Sequence, residues 1–96
     1  QQVLARQTQL DVANELYSRG DHAPAAAAYE AYLRQYTRSA EAIEQVQLIL
    51  GLLYARYLSK PERARELLTK ALEKLHSERE IAIAREELAN LSTVTS

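Results

Sequence analysis

Only two glycines and two prolines interrupt the 96 residues of this chain. An all-β sandwich or barrel needs a turn about every 8–12 residues, usually marked by Gly, Pro, Asn or Asp. The chain cannot meet that demand. What remains between the breaks is dominated by Ala, Leu, Glu, Arg and Gln, all good helix formers. The hydrophobic share of 47% and the charged share of 26% are those of a soluble globular domain and exclude disorder throughout. The length suits one domain or a short repeat array. The expected fold class is therefore all-α.

Apolar periodicity divides the chain into five helical stretches. The first covers residues 2–19 and stops at Gly20, which accepts the left-handed conformation of a helix C-cap. Asp21 is suited to cap the second, over residues 23–36, with Pro24 in its first turn, where a missing N–H costs nothing. A polar link at Thr37, Arg38 and Ser39 follows. Ser39 is the expected cap of a third helix over residues 40–58. Ser59 and Glu62 have the spacing of a capping box for a fourth helix, with Pro61 in its first turn, ending near His76. Ser77 and Glu80 form a second such box, opening a fifth helix that ends near Leu91. Residues 92–96 are polar and β-branched, and are expected to fray. Short links force neighbouring helices to run antiparallel. The expected organisation is one domain over residues 1–96: a hairpin at 2–36, a second at 40–76 and a terminal capping helix at 77–91.

The two hairpins repeat a pattern. Leu16-Tyr17 and Leu53-Tyr54 each precede a short loop, a proline near the next helix start, and an alanine followed four residues later by a large apolar residue. Those last pairs are Ala25 with Tyr29 and Ala64 with Leu68, offset by 39 residues. Leu50-Gly51 with Tyr54, then Ala64, Leu68 and Ala71, resemble the tetratricopeptide repeat, a helical hairpin recurring about every 34 residues. Val12-Ala13, Leu16, Gly20-Asp21, Ala25 and Tyr29 match it in the first hairpin. Tyr32 stands where the family prefers a small residue, the usual Trp is absent, and no Pro closes either unit. The resemblance spans residues 10–91 and implies hairpins stacked as a short tetratricopeptide-like superhelix. The physical reason is independent of the family. Gly51 inside a helix costs about 1 kcal/mol relative to Ala. That is tolerable if the missing side chain lets a neighbouring helix come close, as Ala13, Ala25, Ala64 and Ala71 also would, with Leu16, Tyr29, Tyr54 and Leu68 filling the gaps. The third helix is apolar on nearly every side, the mark of a buried helix.

Charge and chemistry narrow function further. Twelve basic and thirteen acidic residues leave a net charge of −1, without the basic excess of a nucleic-acid binder. With no Cys, disulfides and thiolate metal sites are excluded. With no Met, the chain lacks a start residue and reads as a piece of a longer protein. A cytoplasmic setting is favoured, with a membrane-anchored parent as the alternative. The longest apolar stretch, residues 48–55, is far short of the roughly 20 residues that span a bilayer, so no direct membrane insertion is expected. His22 and His76 have no other His or Cys at ligand spacing, so no metal is expected. Ser18, Asp21 and His22 form a hydrolase set by composition only, with no strand-turn-helix elbow around the serine. The two glycines are isolated, so no phosphate loop exists. Glu78, Glu80, Glu86 and Glu87 read as solvated surface, and Glu15–Arg19, Glu30–Arg34 and Glu66–Lys70 as helix-supporting pairs. Neither a catalytic site nor a cofactor is expected.

The tyrosines fit a core better than an interface, with Tyr36 and Tyr57, near helix ends, the better interface candidates. The resemblance implies a protein-interaction scaffold, with a peptide or helix held on the concave side lined by the first helix of each pair. On that reading the partner-facing residues are Leu10, Asn14 and Tyr17, then Leu48, Leu52 and Arg56, then Arg79 and Ile83. Such a groove is largely apolar and lacks a carboxylate clamp. It suits a hydrophobic peptide or helix, the chain's own fifth helix, or a second copy in a homodimer. Residues 44–68 are also similar to helical-repeat tails of some bacterial membrane proteins, including rhomboid-type proteases. That implies a structural appendage of a larger, membrane-anchored or enzymatic parent, with no proteolytic residue of its own.

Overall fold

A computed structural model of the chain places every described element in a helix. It describes residues 2–36 and 43–95, with side chains for 7–36 and 43–91. The helices are α1 (Gln2–Ser18), α2 (His22–Gln35), α3 (Ile43–Arg56), α4 (Pro61–Lys74) and α5 (Glu78–Thr95). The chain divides into two units, Gln1–Glu41 and Ala42–Ser96. The first holds the α1–α2 hairpin. In the second, α3 and α4 form a hairpin and α5 packs on both. The fold is all-α, built of antiparallel helical hairpins. The link at residues 37–39, the Ser39 cap and the expected helix start at Ala40 lie outside the described residues.

In the first unit the turn forms as its sequence dictates. Gly20 takes φ +82°. Its N–H donates to the Tyr17 carbonyl at 3.0 Å, and the Asp21 N–H donates to that of Leu16 at 2.9 Å. These two bonds are the Schellman closure, which satisfies carbonyls that a helix end otherwise strands. Asp21 occupies the N-cap of α2, but its side chain makes no capping bond. On α2 the buried residues are Ala25, Ala26, Tyr29, Tyr32 and Leu33, one stripe at helical spacing. Ala13 of α1 is also fully buried.

In the second unit, α3 and α4 approach as closely as Gly51 permits. A Cβ at Gly51 would lie 2.8 Å from both Cγ and Cδ2 of Leu68 and 3.5 Å from the Ala64 carbonyl oxygen. Ala64, Leu68 and Ala71 are all fully buried. The small residues therefore sit at contact points, with the large ones seated against them. No residue from Ile43 to Ala55 is exposed, in keeping with the apolar girdle of this helix.

Two expectations of the boundaries are corrected. Ser59 does not cap α4, because it adopts φ +55° and finishes α3 in a left-handed turn. The Leu58 N–H donates to Leu53 and the Lys60 N–H to Tyr54, which leaves Lys60 at the N-cap and Pro61 at the first helical position. The second box does form in part: the Glu80 N–H reaches Ser77 Oγ at 3.4 Å. At the other end, α5 runs on to Thr95 instead of stopping near Leu91. Ser, Thr and Val lower helix propensity by only a few tenths of a kcal/mol each (about 0.3–0.7), and neither Gly nor Pro intervenes to end the helix.

Candidate functional site

The residues expected to face a partner fall in both units. In the first, Leu10 is half-buried while Asn14 and Tyr17 are exposed. Asn14 is engaged: its Oδ1 accepts a hydrogen bond from the Tyr29 hydroxyl. Tyr29 is fully buried, and burial, aided by the nearby Tyr17, pushes its phenol up to about 12. The neutral phenol is the form this site favours, and it donates to Asn14 as a neutral phenol must. The Tyr17 ring lies 6.5 Å from that of His22 at a tilt of 58°.

A shallow hollow of about 410 Å³ runs along α1, lined by Thr8, Asp11, Val12, Glu15, Leu16 and Arg19. Val12 is 52% exposed, an unusual place for a large apolar side chain beside fully buried Ala13. Arg19 pairs with Glu15 at 3.5 Å on the hollow's edge. The spacing of these six residues gives an apolar strip with charged margins.

In the second unit the expected residues are put to different uses. Leu48 is 5% exposed and shares a core cluster with Leu68 and Ala71 of α4 and with Ala84 and Leu91 of α5. Leu52 and Ile83 are half-buried against the same cluster. Helix α5 thus covers this face of α3, and Leu48 has no surface to present. Arg79 is exposed. Arg56 points its Nε at Glu87 Oε1, 3.0 Å away.

Glu87 corrects the expectation of a solvated surface. It is the buried charged residue among those described, with its side chain only 10% exposed against 49% for Arg56. A carboxylate this deep requires a charged partner, and Arg56 supplies one. The signal lies in the spacing, since Ala84, Glu87 and Leu91 fall three and four residues apart on one helical stripe. By contrast, Glu66 is exposed, and its carboxyl is held below the usual range by the Arg63 hydrogen bond, then by the Arg63 and Lys70 charges. Of the tyrosines, Tyr29 and Tyr32 are buried and Tyr36 half-buried, with the Tyr32 and Tyr36 rings 5.1 Å apart. Tyr57 is 51% exposed.

Among the described residues, no cluster of three or more His, Cys, Asp or Glu side chains could hold a metal ion. No helix there is long and apolar enough to cross a membrane. No family model, curated protein or solved structure matches the chain.

Proposed function

We propose that the chain is a non-catalytic, tetratricopeptide-like hairpin module whose task is to hold another protein. The observation that carries this reading is the hollow on α1, where Val12 and Leu16 lie between Asp11, Glu15 and Arg19. Helix α1 is thus apolar on a second side as well as along the side holding Ala13. A strip of this kind suits the apolar face of a partner helix, with anchors at helical spacing and charged margins that set orientation. The small-against-large packing of Gly51 and Leu68 supports the family part of the reading.

The test is photo-crosslinking from Val12 of the intact chain in an extract of its own source cells, with adducts identified by mass spectrometry. A discrete protein adduct, lost when Leu16 and Arg19 on the same hollow are changed to Asp and Glu, supports the reading. Equal adducts from a control position at exposed Thr69 overturn it. An adduct of the chain with itself, together with a concentration-dependent sedimentation coefficient, identifies the partner as a second copy.

A further inference from the structure

The second unit holds a cavity of about 280 Å³ lined by Ala55, Ser59, Pro61, Glu87, Asn90 and Leu91. The last turn of α3, the α3–α4 turn, the first residue of α4 and the outer part of α5 each contribute to its wall. It falls just under the roughly 300–1,000 Å³ of pockets that take drug-sized ligands, so its size suits a single side chain. Ala55, Pro61 and Leu91 give it an apolar lining.

Of the polar side chains in the wall, the Glu87 carboxylate accepts only, while Ser59 and Asn90 can each accept as well as donate. Arg56 occupies Glu87 Oε1, and Oε2 has no protein donor among the described residues. Glu87 is one of the residues that line the cavity. Ala55 belongs to the C-terminal turn of α3, where unsatisfied carbonyls carry partial negative charge. Pro61 itself brings no N–H to the wall, although the N-terminal end of α4 that it begins carries the opposite partial charge. Ser59 is held at φ +55° in the same wall, a strained setting for a residue with a Cβ.

Resting on the reading of the chain as an interaction module, we propose that this cavity is a socket for a lysine side chain projecting from the partner protein. The four-carbon stem lies against Ala55, Pro61 and Leu91. The ammonium donates to Glu87 Oε2, with Ser59 Oγ and Asn90 Oδ1 as further acceptors, so three donors meet three oxygens. A guanidinium is a poorer fit, because its planar fork would compete with Arg56 for one carboxylate.

The experiment is an NMR titration of the isotope-labelled intact chain with Nα-acetyl-lysine amide, with the norleucine and arginine amides as comparisons. The lysine amide is expected to give saturable shifts centred on Ala55, Ser59, Asn90 and Leu91. Norleucine amide, with a similar stem and no charge, should bind at least about tenfold more weakly for want of the charge-assisted bond. Glu87→Gln should remove the response. Asn90→Trp should also remove it by blocking the rim while leaving the Arg56–Glu87 pair intact, and thermal melts verify that both variants fold. No saturable shift, an equal response to norleucine or arginine amide, or a lysine response unchanged in both variants overturns the socket. A Val12 adduct with no lysine response overturns the socket alone. A lysine response without a Val12 adduct overturns the α1 reading alone.

Discussion

The two hairpins place glycine in opposite locations. In the first unit, Gly20 makes the turn, and the core of α2 is tyrosine-rich. In the second, Gly51 makes the helix contact, and the turn is left to Ser59. A left-handed residue ends the first helix of both hairpins, at no steric cost in one and at about 1–2 kcal/mol in the other. Close approach of two helices is thus a stronger demand than an unstrained turn. A strained turn can be offset elsewhere, whereas a Cβ 2.8 Å from a buried leucine forces that side chain to shift within the core.

The largest effect should come from emptying the second contact. Leu68→Ala is expected to cost about 2–5 kcal/mol in chemical denaturation, since Leu68 is fully buried. Adding Gly51→Ala to that variant should recover part of the loss, because the new Cβ then has space. Purely additive costs in the double mutant would break the argument that these two residues share one contact.

The first unit should instead be sensitive to alkali. Tyr29 has its folded phenol raised to about 12 from an ordinary value near 10. The stability it contributes is complete below pH 10, declines between pH 10 and about 12, and is gone above. A rise of that size corresponds to roughly 2–3 kcal/mol. Residue-resolved NMR across that range should show α1 and α2 loosening, and Tyr29→Phe should abolish the step while losing about 1 kcal/mol at neutral pH with the Asn14 bond.

Gly51→Ala in the otherwise unchanged chain should cost about 1–2 kcal/mol, overpacking outweighing the gain in helix propensity. A stabilised variant would mean that Leu68 moves aside freely. The smallest effects belong to the turns. Gly20→Ser should cost about 1 kcal/mol from the left-handed backbone alone, since no neighbouring group lies within 4 Å of its absent Cβ. Ser59→Gly should raise the melting temperature, by about 0.5–1 kcal/mol of stability. If both turn substitutions had the same sign, the contrast between the hairpins would fail.

These contrasts are unevenly legible in the residues alone. Five helices and the Gly20 stop follow from apolar spacing and a C-cap glycine, both local signals. The Gly51 contact is inferable because a glycine inside an apolar helix has few other uses. Ser59 misleads because its spacing to Glu62 suits a capping box, and only the backbone reveals that it ends the preceding helix instead. Glu87 misleads because a lone charge reads as solvated, although Ala84 and Leu91 place it on the buried stripe. Leu48 and Leu52 are recognisable as one continuous apolar face. Whether α5 or a ligand covers that face depends on contacts between helices far apart in sequence, which periodicity within one helix does not encode.

The covering of Leu48 by α5 has a thermodynamic consequence. Any molecule that sought that face would first have to lift a helix of 18 residues and expose Ala84 and Leu91 to water. Its apparent affinity would be lowered by the fraction of time the flap stands open, so such a competitor would be an unfolding agent before it was a ligand.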